Sequence, residues 1–328
     1  MDKFKVYRLR EQDRKVVAAF EQTSIEELDA GEVVIRVAYS SVNYKDALAA
    51  TGAGRIIRRF PCIGGVDLAG TVTDSRDPRF KKGDAVLATS YDIGVGHDGG
   101  YAEYARMKAD WVVPMPRGMS LFEAMALGTA GFTAGLAVVR MEHADLGSGP
   151  VIVTGATGGV GSIAIDILAG LGHHVVALTG KEHESAYLKD LGAKEVMLRS
   201  SLDLAKIKPL DKATWAGAVD NLGGDVLAWL ASTMQIGAPL ASVGLAASME
   251  LKTTVAPFIL RGVSLLGIDS VNCPMPQRRR VWERLASDLK PKHLAGMTRT
   301  IPFDDLPTVF DDFLKARTRG RIVVDLAS

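Results

Sequence analysis

The segment Val151–Gly161 constrains the fold more than any other part of the chain. It reads Val-Ile-Val-Thr-Gly-Ala-Thr-Gly-Gly-Val-Gly, which is an apolar strand, a glycine-rich turn and the start of a helix. Small residues let the backbone approach a phosphate, whose charge then lies at the positive end of the helix. A second apolar strand follows at His174–Leu178. The spacing departs from G-x-G-x-x-G and also suits a purely structural turn, but its context favours a dinucleotide site.

The residues after the second strand indicate which dinucleotide is bound. NAD sites commonly place a carboxylate there for the ribose hydroxyls. This chain has Thr179-Gly180-Lys181, with no carboxylate before Glu182. A lysine and a hydroxyl suit the additional phosphate of NADPH, and one charge-assisted hydrogen bond contributes roughly 1.5–3 kcal/mol, or about a ten- to hundredfold preference. The tripeptide therefore predicts NADPH, and the alternative is a solvated surface lysine.

Strands and helices alternate through the middle of the chain, and this alternation predicts a parallel, doubly wound α/β sheet. The predicted strands are Val151–Thr154, His174–Leu178, Glu195–Leu198, Ala216–Asn221, Ala238–Gly244 and Val263–Asp269. The predicted helices are Ala124–Ala137, Gly159–Leu171 and Ser185–Leu191. We expect Val263–Asp269 to be the outermost strand. Because exposed apolar edges are usually paired or covered, it predicts a homodimer.

The first third is rich in strands and glycine, which suggests a partly closed antiparallel β-barrel. Its predicted strands are Val33–Ala38, Gly70–Asp74 and Ala85–Ala88. The tail adds predicted helices at Arg278–Leu289 and Leu306–Arg317 and a strand at Arg321–Leu326 that we expect to return to the N-terminal domain. A chain of 328 residues is expected to form two domains. We predict a catalytic domain of residues 1–124 and 270–328 and a nucleotide-binding domain of residues 125–269.

Composition excludes several classes of protein. The 39 basic and 38 acidic residues leave a net charge of +1, which argues against nucleic acid or anionic membrane as a partner. Met1–Arg10 lacks the apolar core of a signal peptide. We expect no apolar run of the roughly 20 residues that a membrane span needs. Cys62 and Cys273 are too few for a disulfide framework and are predicted to be apolar fillers in a cytoplasmic protein.

Five segments together resemble the medium-chain dehydrogenase/reductase superfamily over essentially the whole chain. They are Ser40–Asp46, Gly65–Gly70, Gly99–Tyr104, Gly128–Ala134 and the turn at Thr154–Gly161. Zinc alcohol dehydrogenases of this superfamily bind catalytic zinc at positions that correspond here to Asn43, Val66 and Thr129. These are not a plausible set of zinc ligands, because catalytic zinc needs three His, Cys or carboxylate donors. The resemblance therefore implies the metal-free quinone-oxidoreductase branch, whose members reduce activated carbon–carbon double bonds.

Within that branch the chain looks most like the acryloyl-CoA reductases. The matching segments are Asn43–Leu48, Ile56–Arg58, Asp77–Phe80, Lys108–Trp111, Trp215–Ala218, Pro257–Arg261 and Gly267–Ser270. This likeness implies a Rossmann domain, a GroES-like catalytic domain and NADPH-linked reduction of acryloyl-CoA to propionyl-CoA. It also implies cofactor contacts at Tyr44, Thr133, Thr157, Gly158, Gly159, Val160, Thr179, Gly180, Lys181, Ile268, Ser270 and Arg321.

The same likeness places Asn43 and Tyr44 near the thioester oxygen, where a hydrogen-bond donor could lower the barrier by ~2.7–4 kcal/mol. With an ordinary pKa of about 10, Tyr44 is expected to polarise or orient the substrate before it acts as an acid. The alternative is an aromatic wall of the cleft. Lys45 and Asp46 are predicted to form a structural ion pair, and Asp67 to cap a loop.

Two arginine clusters, Arg55–Arg59 and Arg278–Arg280, could bind the phosphates of CoA, since guanidinium groups match phosphate well. A run of charges is, however, usually a solvated surface, and this is the favoured interpretation of both clusters. Two other functions remain open. One is a quinone or alkenal reductase that shares the cofactor site. The other is a non-catalytic NADPH-binding sensor.

Overall fold

The computed structural model describes residues 3–326 and divides them into two compact units. The first unit runs to Thr129 and also contains Val271–Ala286 and the chain from Leu294 onward. The second unit contains Ala130–Ser270 and the short segment Ser287–His293.

Strands and helices are numbered in chain order. The strands are β1 Phe4–Gln12, β2 Lys15–Thr23, β3 Val33–Val42, β4 Cys62–Ile63, β5 Asp67–Ser75, β6 Ala85–Thr89, β7 Tyr104–Met107, β8 Val113–Pro114, β9 Pro150–Thr154, β10 His174–Thr179, β11 Glu195–Leu198, β12 Gly217–Asp220, β13 Pro239–Ser242, β14 Ser264–Gly267, β15 Thr298–Pro302 and β16 Arg321–Asp325. The α-helices are α1 Tyr44–Thr51, α2 Leu121–His143, α3 Gly159–Gly170, α4 Ser185–Asp190, α5 Gly224–Thr233, α6 Ala256–Arg261, α7 Met275–Leu285 and α8 Leu306–Leu314.

The first unit is built on a mostly antiparallel sheet in the order β15-β16-β3-β5-β6-β8, with β7 also paired to β3. The C-terminal strand β16 pairs antiparallel with β3, which confirms that the tail returns to the N-terminal part of the chain. A separate hairpin of β1 and β2 turns through Asp13 and Arg14, both in the left-handed region (φ 49° and 60°). The sequence prediction missed this hairpin because Asp-Arg lacks the glycine that usually marks such a turn.

The second unit contains six parallel strands in the order β11-β10-β9-β12-β13-β14, which confirms the predicted doubly wound sheet. Strand β14 lies at one edge, as expected for the segment predicted at Val263–Asp269. The central strands are apolar because helices cover both faces of such a sheet, and Ile152, Leu178 and Ala218 are fully buried. This arrangement brings the carboxyl ends of the strands together at one edge, where the glycine-rich turn begins.

Helix α2 is longer than predicted and corrects one expectation. Its length and composition are sufficient to cross a membrane, although no apolar run of that size was expected. Most of its apolar stretch is buried within the protein, however, which is typical of a core helix of a soluble protein. Gly128 interrupts the helix with dihedral angles that an α-helix does not adopt (φ 52°, ψ −155°). This position becomes important in the first unit's polar core.

Candidate active site

The glycine-rich turn in the second unit has the backbone geometry of an anion site. Gly155 adopts a left-handed conformation (φ 57°), and the N–H of Gly158 donates to the carbonyl oxygen of Gly155 at 3.0 Å. Helix α3 begins directly afterwards at Gly159. The N–H groups of the first helical turn therefore face outward without helical acceptors, and they suit a phosphate group.

Side chains around this turn hold it rigid. A Cβ added at Gly161 would lie 2.4 Å from the carbonyl oxygen of Gly155, so only glycine fits where the helix crosses the turn. At the end of β9 the Thr154 hydroxyl donates to Asp220 at 2.6 Å, and the Asn221 amide donates to the carbonyl of Thr154 at 2.7 Å. Burial raises the pKa of Asp220. The turn is thus braced by the neighbouring strand β12.

The tripeptide predicted to select NADPH begins at Thr179, the last residue of β10. Thr179 is buried, and its hydroxyl accepts a hydrogen bond of 3.0 Å from the N–H of Lys181. Gly180 is exposed and Lys181 is half-buried. Of the other predicted cofactor residues in this unit, Thr133 and Thr157 are buried, and the N–H of Ile268 donates to Ser242 at 3.0 Å. Ser270 is also almost fully buried.

In the first unit, Asp67 is the centre of a polar cluster made of Ser41, Asn43, Asp46, Asp67, Thr129 and Arg321. It is completely buried at the start of β5. It accepts hydrogen bonds from Ser41 Oγ at 2.6 Å, Asn43 Nδ2 at 2.8 Å, Thr129 N at 2.8 Å and Thr129 Oγ1 at 2.5 Å. The prediction that Asp67 caps a loop is therefore wrong, because the strand begins at this residue and its side chain turns into the core.

Asp46 joins the polar cluster through the first turn of α1. Its carboxylate accepts from the backbone N of Asn43 at 2.8 Å, from Asn43 Nδ2 at 3.2 Å and from Val66 N at 3.1 Å. The predicted Lys45–Asp46 ion pair is wrong: Asp46 points into the protein, and within residues 3–326 it forms no ion pair with Lys45. Burial, and secondarily the nearby Asp67 charge, raise the pKa of Asp46 from its usual 3.8 to about 7.

Arg321 supplies the positive charge of the polar cluster. Its guanidinium donates to Ala126 O at 2.9 Å, Val42 O at 3.2 Å, Asn43 Oδ1 at 3.3 Å and Ser41 Oγ at 2.9 Å. The side chain is only 2% exposed. Its predicted cofactor contact stays a prediction, and this geometry favours a role inside the first unit.

Gly128 gives the polar cluster its room. A Cβ added there would lie within 2.6–2.7 Å of Asp67 Oδ2, Arg321 Nη2 and Ser41 Oγ. The break in α2 and the packing of the polar cluster therefore depend on the same missing side chain.

The two residues predicted to be catalytic have different surroundings. Both polar atoms of the Asn43 amide already form hydrogen bonds within the protein. Nδ2 donates to Asp46 and Asp67, and Oδ1 accepts from Arg321. Tyr44 begins α1 and is 50% exposed. Of this pair, Tyr44 is the side chain that the first unit presents to solvent.

The arginine clusters also differ from one another. Arg278 is completely buried and donates to Thr89, Tyr91 and Val271, so the expectation that it lies on a solvated helix face or binds a phosphate is wrong. In the other cluster Arg58 pairs with Asp92 and Arg59 with Asp29, while Arg55 is exposed and has no acidic partner among residues 3–326.

The three positions that would carry zinc ligands hold groups unsuited to zinc. Asn43 and Thr129 are engaged in hydrogen bonds to carboxylates, and Val66 is a buried aliphatic residue. Within residues 3–326, no group of three or more His, Cys, Asp or Glu side chains is arranged to hold a metal ion.

Comparison with known proteins identifies the family of this chain. Residues 29–117 match the alcohol dehydrogenase GroES-like domain, and residues 159–288 match the zinc-binding dehydrogenase domain. The acrylyl-CoA reductase AcuI of Ruegeria pomeroyi is 48% identical over 96% of this chain and 96% of its own length. The chain belongs to the acrylyl-CoA reductase family of the medium-chain dehydrogenases/reductases. The predicted family and fold class are thereby confirmed.

A second relative carries a different name. The putative quinone oxidoreductase YhfP of Bacillus subtilis is 51% identical over 92% of this chain and 93% of its own length. Its structure with NAD bound has a TM-score of 0.97 and covers 99% of this chain and 100% of that one. The yhdH oxidoreductase from Salmonella enterica in complex with NADP is 45% identical, with a TM-score of 0.95, and covers 98% of this chain and 99% of that one.

Proposed function

We propose that this protein reduces the carbon–carbon double bond of acryloyl-CoA to give propionyl-CoA, with NADPH as the reductant and without a metal ion. The observation that carries the proposal is the polar cluster at the metal-ligand positions, with Tyr44 exposed directly beside it. It is supported by 48% identity to the acrylyl-CoA reductase of Ruegeria pomeroyi. The reaction consumes NADPH and one proton.

The glycine-rich turn Thr154–Gly161, here the nucleotide turn, and the segment Thr179–Lys181 fit NADPH. The first-turn N–H groups of α3, with Thr157–Val160, would hold the pyrophosphate, and Thr179–Lys181 would hold the additional phosphate of the ribose. We assign further cofactor contacts to Tyr44, Thr133, Ile268 and Ser270 from the family pattern. The family pattern also includes Arg321, but its buried guanidinium is hydrogen-bonded within the first unit, so we assign it to the polar cluster. When bound, NADPH supplies the hydride that adds to the β-carbon of the acryloyl group.

Tyr44 is the residue that we assign to the thioester oxygen. Negative charge develops there as the β-carbon accepts hydride, and a hydroxyl donor stabilises that charge more than it stabilises the ground state. The α-carbon is then protonated. Asn43, also expected to act on the oxygen, has its amide bound to Asp46, Asp67 and Arg321. We therefore assign the polarisation to Tyr44.

The test measures NADPH consumption by the purified protein with acryloyl-CoA, crotonyl-CoA and a simple quinone. We expect acryloyl-CoA to be the preferred substrate. The competing function is quinone reduction, which the 51% identity to YhfP favours. A preference for the quinone would retain the cofactor and discard the thioester. If NADPH binds but none of these substrates consumes it, the result would favour the non-catalytic NADPH-binding sensor over both enzymes.

We also propose that the protein is a homodimer joined at the edge strand β14. Leu265 on this strand is 38% exposed, and on the preceding helix α6 Ile259 is 72% and Leu260 is 65% exposed. Such an apolar edge is usually covered. Light scattering should give twice the chain mass, and Leu265→Lys should shift the protein toward the monomer. A monomeric wild type would contradict the proposal.

We also propose that the enzyme is located in the cytoplasm. Cys62 and Cys273 are both buried and form no disulfide bond. Buried thiols that are not oxidised to a disulfide suit a reducing compartment.

A further inference from the structure

An ordered chain of hydroxyl groups leads into the polar cluster. Thr129 Oγ1 lies 2.5 Å from Asp67 Oδ1, and because a carboxylate accepts, Thr129 uses its one hydroxyl hydrogen there. Ser90 Oγ lies 3.0 Å from Thr129 Oγ1. Since the hydrogen of Thr129 is already used, Ser90 is the donor in this second bond. Ser90 therefore donates to Thr129, and Thr129 donates to Asp67.

The loop that carries Ser90 is held in an unfavourable conformation. Ser90 and Tyr91 both lie in the left-handed region (φ 67° and 49°), which non-glycine residues rarely adopt. The N–H of Ser90 donates to Val66 O at 2.8 Å. The buried Arg278 donates to Thr89 O and to the Tyr91 hydroxyl, each at 3.1 Å. A strained backbone conformation that several hydrogen bonds hold in place is typical of positions where a functional side chain must be placed accurately.

The series of hydrogen bonds continues from Asp67 to Asn43, the residue before Tyr44. Asp67 Oδ2 accepts from Asn43 Nδ2 and from the backbone N of Thr129, both at 2.8 Å. Asn43 directly precedes Tyr44, the first residue of α1. Because Thr129, Asp67 and Asn43 are each buried or half-buried, a change at Thr129 is transmitted to the start of α1 with little screening by water.

We propose that Thr129 is a positioning residue for the reduction: its hydroxyl, ordered by Ser90, holds Asp67 and Asn43 so that Tyr44 is fixed without a metal. This inference rests on the proposed role of Tyr44. Thr129 thereby performs, through hydrogen bonds, the structural part of what a metal ligand at this position would do.

Thr129→Val tests the inference, because it keeps the shape of the side chain and removes the hydroxyl. A lost hydrogen bond to a charged group predicts a fall in kcat of about 10- to 100-fold, with the KM for NADPH within about twofold of wild type. Thr129→Ser restores the hydroxyl and should recover kcat to within about threefold. Wild-type kcat in Thr129→Val, or no recovery in Thr129→Ser, would overturn the inference.

Thr23→Val is the matched control. Thr23 is also buried, donates to Glu27 at 2.8 Å and accepts from Arg8 at 3.1 Å, but it lies at the end of β2 that pairs with Phe4. We expect its kcat to stay within about twofold of wild type even if its melting temperature falls. If Thr23→Val and Thr129→Val lose kcat equally, the hydroxyl of Thr129 is merely structural and the inference fails.

A double-mutant cycle with Tyr44→Phe identifies the route of the effect. If Thr129 acts through Tyr44, adding Thr129→Val to Tyr44→Phe should lower kcat by less than about twofold. Full multiplication of the two effects would show that Thr129 acts elsewhere and would contradict the inference.

Ser90→Gly keeps the test valid if Thr129→Val does not fold. Glycine is unstrained at φ 67°, so the melting temperature should hold or rise while kcat falls by about 2- to 10-fold through the lost neutral hydrogen bond. An unchanged kcat would show that Ser90 does not order the Thr129 hydroxyl and would contradict the inference.

Hydrogen–deuterium exchange over residues 43–51, measured without substrate, separates this inference from the proposed function. Thr129→Val should accelerate exchange in the first turn of α1 and Thr129→Ser should not. That result supports the positioning role even if acryloyl-CoA is not a substrate. Unchanged exchange in Thr129→Val refutes it even if acryloyl-CoA is one.

Discussion

The nucleotide turn of the second unit is formed by consecutive residues, Thr154–Gly161, whereas the polar cluster of the first unit is assembled from four separate stretches of the chain. The turn is proposed to bind the nucleotide through backbone N–H groups, so its essential property is the absence of side chains. The polar cluster works through side chains that must satisfy one another while buried. The comparison teaches that both regions depend on glycine, but for different reasons. Gly161 allows two backbone segments to cross, and Gly128 leaves space for charged groups.

The largest expected effect is in the polar cluster. Gly128→Ala combines a conformation almost restricted to glycine with contacts of 2.6–2.7 Å to three polar atoms. We expect it to lower the free energy of unfolding by about 3 kcal/mol or more. Gly118→Ala is the matched control, because Gly118 also has a positive φ (81°) but open space around it, and it should cost only about 1–2 kcal/mol. Chemical denaturation measures both, and equal losses would show that crowding at Gly128 contributes nothing.

The second effect is in the nucleotide turn. Gly161→Ala places a Cβ 2.4 Å from the Gly155 oxygen and should raise the Kd for NADPH by about 10- to 100-fold through displacement of the turn. Gly170→Ala, at the other end of α3 where nothing lies within 4 Å, should leave the Kd unchanged. Cofactor fluorescence titration gives both values. A normal Kd for Gly161→Ala would mean that the turn does not hold the nucleotide.

A smaller change concerns the choice of cofactor. Lys181→Ala should reduce the preference for NADPH over NADH, measured as the ratio of kcat/KM values, by about 10- to 100-fold. Lys189→Ala, an exposed lysine on the neighbouring helix α4, serves as the control and should leave the ratio intact. An unaltered ratio in Lys181→Ala would assign selection of the phosphate to other residues.

A further expected effect is a pH dependence of stability that arises from the polar cluster. Asp46 has a folded-state pKa of about 7 against its usual 3.8, so between these values the native state keeps a proton that the unfolded chain has released. The free energy of unfolding should therefore fall as pH rises from about 4 to 7. Asp46→Asn should flatten this slope, and Asp220, whose pKa is also raised, contributes to the slope with the same sign. An identical slope in Asp46→Asn would contradict the assignment.

The sequence predicted the second unit better than the first, and the reason is local information. Strand, turn and helix around Thr154–Gly161 are specified by neighbouring residues, and the parallel pairing of the strands follows from their alternation with helices. Helix α5 was missed because it begins at Gly224, directly after Gly223; both glycines have positive φ, and such a pair is typical of a turn.

The polar cluster could not be derived in the same way. Asp67 and Arg321 are far apart in sequence, and nothing near either residue reveals that Ser41 bridges them. Arg278 shows the same limit: within a run of three arginines it looks solvated, yet it is buried against Thr89 and Tyr91. The family resemblance found the positions Asn43 and Thr129, but only the structure shows what their side chains contact.

The most direct test of the account follows the transferred hydrogen itself. The protein is given acryloyl-CoA and NADPH deuterated at the transferred position of the nicotinamide, and the propionyl-CoA product is examined by NMR. We predict one deuterium in the methyl group, which derives from the β-carbon, and a solvent proton at the α-carbon. Deuterium at the α-carbon, or an unlabelled product, would contradict hydride transfer to the activated double bond.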